Sequence, residues 1–189
     1  MALLMIDIPY AKTGAFVLYI IAAITDWLDG ILARKVYGTS DFGKLMDPLA
    51  DKVMVGAVFI SLVEVQLPHW PQALIPAWIV VLIISREFMV TGLRLLAIEN
   101  GKVIAAGPLG KYKTIMQMLV SVAILGALAY RFDIAEQSHD FIHFDTTLGK
   151  ASFWGMCAVC LITVISGWKY FAESRELLFK PKGKDFYEY

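Results

Sequence analysis

Asp26-Trp27-Leu28-Asp29-Gly30-Ile31-Leu32-Ala33-Arg34, followed after eight residues by Gly43-Lys44-Leu45-Met46-Asp47-Pro48-Leu49-Ala50-Asp51, governs how the rest of this chain is read. Four aspartates at helical spacing stand beside segments built for lipid. An ionised carboxylate near a bilayer core costs roughly 2.5–3.5 kcal/mol even on a lenient insertion scale, so four unpaired ones approach about 10 kcal/mol. Something positive has to sit among them, and a divalent metal holding a phosphorylated substrate meets that need. On a helix Asp26, Asp29, Gly30, Ala33 and Arg34 form one stripe, and Gly43, Asp47 and Asp51 form a second. Tyr37-Gly38-Thr39-Ser40 between them is polar and turn-prone, and Asp41, off both stripes, is taken as a turn residue. Two antiparallel helices are therefore expected to aim four carboxylates at one point. Hard oxygen donors of this kind suit Mg²⁺ or Mn²⁺, completed by water and phosphate. Gly30 and Gly43 are costly inside helices and make most sense where a ligand approaches the backbone. Arg34 can fork onto a phosphate. The plain alternative pairs these acids with Arg34, Lys35, Lys44 and Lys52 in a solvated loop, but exposed pairs need no fixed spacing.

The remainder of the chain supports a membrane setting. Of 189 residues 58% are hydrophobic, and the mean hydropathy is +0.63, which excludes an ordinary soluble domain. The expected fold is all-α, a polytopic transmembrane helical bundle forming one integral-membrane domain over residues 1–180, with a solvated tail over 181–189. Five spans are read. The first has its apolar part at Gly14–Thr25 and continues through Arg34; the second is Leu45–Val65. The third is Gln72–Ser85, running on toward Asn100, and the last two are Thr114–Tyr130 and Gly149–Tyr170. Of the 17 Lys and Arg, only Lys12, Arg131 and Lys150 fall on one side of these spans. The positive-inside rule makes the other, richer side cytoplasmic, so all four aspartates lie at the cytoplasmic face, and Arg131–Thr147 is an external loop. The net charge is zero, and no nucleic-acid partner is expected. Cys157-x-x-Cys160 could be redox-active or metal-binding, but lacks basic or His neighbours and reads as helix packing. The tryptophans read as interfacial belt residues. His69, His139 and His143 read as surface histidines of the external side. Intramembrane carboxylates also occur in ion-coupled transporters; those predict acids scattered at mid-depth and a repeat symmetry, neither of which is visible.

The pattern Asp-x2-Asp-Gly-x2-Ala-Arg-x8-Gly-x3-Asp-x3-Asp over Asp26–Asp51 resembles, at every fixed position, the signature of CDP-alcohol phosphatidyltransferases. The resemblance implies a site with two metal ions. Asp26, Asp29 and Asp47 would bind metal and through it the CDP diphosphate; Asp51 would act as general base, also close to metal. Gly30, Ala33, Arg34 and Gly43 match positions lining the nucleotide pocket. It also implies a lipid substrate, CDP-diacylglycerol, reacting at the membrane interface, and often a homodimer. The family usually has six spans preceded by a short amphipathic segment. This chain is accordingly expected to start at the connector into the second span: either its numbering begins at an internal start or the first helix is absent.

A second polar cluster bears on the acceptor alcohol. Ser85-Arg86-Glu87 follows the third span, with Arg94 eight residues beyond Arg86, and Gly110-Lys111-Tyr112-Lys113-Thr114 begins the fourth. Cations grouped beside a membrane site favour an anionic acceptor, best a phosphate monoester, although positive-inside flanking charge alone accounts for some of them. These segments resemble the branch of the family that forms phosphatidylglycerophosphate, whose acceptor is sn-glycerol 3-phosphate. The resemblance assigns the acceptor phosphate to Arg86, Arg94, Lys111 and Lys113. Glu87, nearly in register with Arg94, is expected to orient it. Other acceptors within the same chemistry are inositol phosphate, serine or another phosphatidyl lipid.

Overall fold

A computed structural model describes the backbone of residues 2–6, 8–36, 41–99, 108–135 and 141–179, and the side chains of these except 2, 26, 27, 29–51, 54, 98, 99, 108 and 173–179. A single-turn helix α1 (Ala2–Met5) precedes five long ones: α2 (Ala11–Val36), α3 (Asp41–Glu64), α4 (Ala77–Glu99), α5 (Pro108–Ala129) and α6 (Ile142–Phe179). A π-helical turn, Tyr130–Ile134, prolongs α5. The described residues contain no strand, only an isolated antiparallel bridge between Leu67 and Trp70. The molecule is a helical membrane bundle.

Membrane helices gain little from hiding apolar side chains from equally apolar lipid, so close backbone approach and satisfied polar groups hold them together. That is what the interior shows. Gly126 lies against Phe16, Gly155 against Val120 and Gly56 against Ile84. Buried hydroxyls return their protons to their own helices: Ser61 Oγ donates to the Ala57 carbonyl at 2.8 Å, Thr91 Oγ1 to that of Glu87 at 2.7 Å and Ser121 Oγ to that of Gln117 at 2.8 Å. Phe59, Leu62, Ile79, Ile83, Leu125 and Met156 fill the space between. Val17, Leu18, Ile21, Val81, Leu119 and Leu161 point outward, an apolar exterior that lipid covers. Helix α6 packs on α4 and α5, α5 on α2, and α3 on α4, while α1 touches both α2 and α3.

One end of the bundle is pinned by charge. Arg131 Nε donates to Asp145 Oδ1 at 2.8 Å, His69 Nδ1 lies 2.9 Å from Asp145 Oδ2, and the Thr13 amide donates to Asp133 Oδ2 at 2.6 Å. These contacts join the start of α2, the α3–α4 connection, the end of α5 and the start of α6. Every long helix therefore begins or finishes here, and the second half of α2, the first half of α3, the second half of α4, the start of α5 and the end of α6 share the opposite end.

Boundaries differ from expectation at several places, including the start of α5 at Pro108 rather than Thr114 and the end of α6 at Phe179 rather than Tyr170. The third helix starts at Ala77 rather than Gln72. Pro76 disfavours helical geometry at Ile75, and Leu74 and Ile75 are fully buried in the connection instead. The fifth begins at Ile142, so the expected loop Arg131–Thr147 is helical at both ends. Asp145 made that segment read as polar, yet its carboxylate is fully buried and neutralised by Arg131. Asp41 opens α3 rather than lying in a turn. The hinge at residues 37–40, His139 and the tail 181–189 lie outside the described residues. Trp78, Trp154 and Trp168 are exposed, but Trp70 packs into the protein on Gly149. Cys157 and Cys160 are free thiols, and Cys160 is part of the core.

Candidate active site

Helix α2 is continuous through residue 36 and α3 from residue 41. Asp26, Asp29, Gly30, Ala33 and Arg34 therefore keep one helical register, and Gly43, Asp47 and Asp51 keep another. Asp26 lies 13 residues beyond Thr13, about 20 Å along the axis at 1.5 Å per residue, which carries it past the middle of α2 into the half away from the charged pin. Their side chains lie outside the described residues. The carboxylates supply hard oxygen donors of the kind Mg²⁺ or Mn²⁺ takes, so the residue types fit such ions. Among the described residues no group of three or more His, Cys, Asp or Glu stands together.

At the same end the described side chains build a cationic cluster. Glu87 Oε1 accepts from Arg86 Nη1 at 3.2 Å and is paired with Lys113 Nζ from α5. Arg86 Nη2 donates to Ser166 Oγ of α6 at 2.7 Å. Lys113 is buried, and Lys52 of α3, next to Asp51, lies within its electrostatic reach. Lys113 and its network are thus adjacent to the helix that carries Asp47 and Asp51. Two turns past Arg86, Arg94 Nε donates to Tyr170 Oη of α6 at 2.7 Å, and its guanidinium carbon lies 5.1 Å from the ring centroid.

Of the four expected phosphate ligands, Arg86 and Lys113 are brought into one network, and Arg94 stands beside it on α4. Lys111 is exposed, with no contact to the network among those described. Glu87 does not orient Arg94. Seven residues put them about 10 Å apart along α4, whereas Lys113 approaches Glu87 directly from the neighbouring helix. Arg86 Nε and Gln117 Nε2 are buried with no hydrogen-bond partner among the described residues. Such groups are uncommon and mark places where water or ligand completes the polar shell. Sequence reasoning passed over Ser166, Gly167 and Tyr170. Their signal was a small polar pair and a tyrosine one turn later inside an otherwise apolar run.

Comparison with known proteins agrees with this arrangement. The sequence profile of the family described as CDP-alcohol phosphatidyltransferase matches residues 1–165. The chain is 43% identical over 172 residues to a Bacillus subtilis (strain 168) protein named CDP-diacylglycerol--glycerol-3-phosphate 3-phosphatidyltransferase, covering 91% of this chain and 79% of that relative. A protein of the same name from Rickettsia bellii (strain RML369-C) is 33% identical over 168 residues, covering 88% of this chain and 81% of the relative. Another, from Rickettsia felis (strain ATCC VR-1525 / URRWXCal2), is 35% identical over 162 residues, with 85% and 77% covered. Matched over most of its length and carrying the full aspartate pattern on two continuous helices, the chain belongs to the CDP-alcohol phosphatidyltransferase family.

Proposed function

We propose that this enzyme transfers a phosphatidyl group from CDP-diacylglycerol to sn-glycerol 3-phosphate, giving phosphatidylglycerophosphate and CMP. The observation that carries the acceptor is the buried Arg86–Glu87–Lys113 network with Arg94 beside it, at the same end of the bundle as the aspartate-bearing segments. Three cations against one carboxylate leave a surplus of two positive charges, which matches a phosphate monoester and has no use with a neutral alcohol. The names of the relatives support the same reading.

In this reading Asp26, Asp29, Asp47 and Asp51 hold one or two Mg²⁺ or Mn²⁺ ions. Metal at this place neutralises the diphosphate and stabilises charge on the departing CMP. Arg34 and the backbone at Gly30, Ala33 and Gly43 position the nucleotide. Arg86, Arg94 and Lys113 hold the acceptor phosphate. The acceptor hydroxyl oxygen forms a bond to the β-phosphorus as the bond from that phosphorus to the bridging oxygen breaks. CMP leaves with the electron pair, and Asp51 takes the hydroxyl proton. The acyl chains stay in the bilayer throughout. The uneven distribution of Lys and Arg supports a reading in which this end faces the cytoplasm, in a bacterial inner membrane.

An acceptor panel with purified protein tests the proposal. CMP release from CDP-diacylglycerol is expected with glycerol 3-phosphate and Mg²⁺ or Mn²⁺, and not with serine, inositol phosphate or glycerol. Release with one of those and none with glycerol 3-phosphate would overturn the acceptor. Turnover that persists in excess chelator would overturn the metal role.

A further inference from the structure

Arginine is a useful phosphate ligand only when its fork is aimed, because its long side chain otherwise loses rotamer freedom on every binding event. Both arginines of α4 are aimed here, and by the same turn of α6. Arg86 crosses α6 where Gly167 stands. A Cβ at position 167 would lie 2.8 Å from Arg86 Cγ and 3.1 Å from Arg86 Nε, so any side chain there displaces the arginine. Ser166, just before, accepts from Arg86 Nη2 at 2.7 Å. Glu87 takes Nη1 on the other side. With two side chains holding its terminal nitrogens, the guanidinium plane is fixed, and each of those nitrogens keeps one further N–H. Tyr170, one turn on, does the same for Arg94. It accepts from Nε at 2.7 Å, and the guanidinium carbon lies 5.1 Å from its ring centroid, which leaves the edge formed by the two terminal nitrogens for a bidentate contact.

We infer that Ser166, Gly167 and Tyr170 are positioning residues that set the affinity and phosphate selectivity of the acceptor site by fixing the planes of Arg86 and Arg94. The inference rests on the acceptor reading above. None of the three has to touch the acceptor; they act through the arginines. A purely structural role in the α4–α6 contact would show as lost stability and a general loss of rate. A positioning role shows as a change confined to one substrate.

The test uses the full chain in detergent or lipid nanodiscs, with Tyr170→Phe, Ser166→Ala and Gly167→Ala. Initial rates are measured while glycerol 3-phosphate and CDP-diacylglycerol are varied separately, together with the melting temperature. Tyr170→Phe keeps the ring and removes one hydrogen bond to a charged group, and is expected to raise KM for glycerol 3-phosphate about tenfold. Its KM for CDP-diacylglycerol and its kcat are expected to stay within about twofold of wild type, and its melting temperature to be unchanged. Gly167→Ala is expected to raise the same KM further, and Ser166→Thr to restore most of what Ser166→Ala loses. If Gly167→Ala does not fold, Tyr170→Phe decides alone. An unaltered KM for glycerol 3-phosphate in Tyr170→Phe, or equal rises for both substrates with a lowered melting temperature, would overturn the inference while leaving the acceptor reading standing. A wild type that turns over with another acceptor and not with glycerol 3-phosphate overturns both.

Discussion

Glu87 holds one negative charge between two positive ones, Arg86 and Lys113, in a site where all three side chains are at most 15% exposed. Breaking such a buried pair by removing one partner leaves the other charge uncompensated, a cost of about 3–5 kcal/mol. Glu87→Gln is therefore expected to lower the melting temperature strongly, and Glu87→Gln combined with Lys113→Met to recover much of the loss; thermal unfolding of the two variants checks this. The four aspartates carry different expectations. Asp51→Asn is expected to keep CDP-diacylglycerol binding and abolish turnover, which equilibrium binding beside a CMP-release assay separates. Wild-type turnover by that variant would remove its role as base. Arg86, Arg94, Lys111 and Lys113 were legible as a set because charged side chains are conspicuous in an apolar sequence, although Lys111 stands outside the network. The partner of each was not. Glu87 was assigned to Arg94 by register along one helix, whereas the pairing was decided by Lys113 arriving from another.

At the scale of elements, the connection between α3 and α4 is a docked structure rather than a loose turn. Trp70 lies flat on Gly149 of α6, where an added Cβ would meet the indole at 2.4 Å. The indole is rigid and cannot yield as a flexible chain end could. Gly149→Ala is expected to expel Trp70 and cost about 1–3 kcal/mol, as overpacking does, read as a lower melting temperature and a red-shifted tryptophan emission. Beside it, Asp145 joins α6 to Arg131 and to His69 of the same connection. Asp145→Asn removes the charge that balances Arg131 and is expected to destabilise the bundle by a similar or larger amount. The five long helices were visible in the sequence through their apolar runs, to within a turn at most ends. The start of α6 was missed by seven residues. An acid counts against a membrane helix in any reading of composition, and only its buried partner removes that penalty.

For the molecule as a whole, α6 has 38 residues, about 57 Å at 1.5 Å per residue, against a hydrocarbon core of about 30 Å. It is therefore longer than the hydrocarbon core is thick. With an orientation that puts its Tyr170 end in the cytoplasm, a cysteine placed at His143 in a background lacking Cys157 and Cys160 is expected to react with an impermeant thiol reagent in intact cells. One at Lys182 is expected to react only after permeabilisation; the reverse pattern would invert the topology. Sequence by itself determined that the chain is a helical membrane protein, that Asp26, Asp29, Asp47 and Asp51 occupy two helical stripes, and which end of the bundle is basic. Each of those follows from local composition and a 3.6-residue period, which need no knowledge of neighbours. Tertiary structure alone decided that Ser166, Gly167 and Tyr170 hold the arginines of α4, and that Asp145 belongs inside the bundle. The first depends on which helix faces which across 76 to 80 residues of sequence, the second on Arg131 meeting Asp145 from 14 residues away, and an apolar period says only that a face is apolar, not what packs against it.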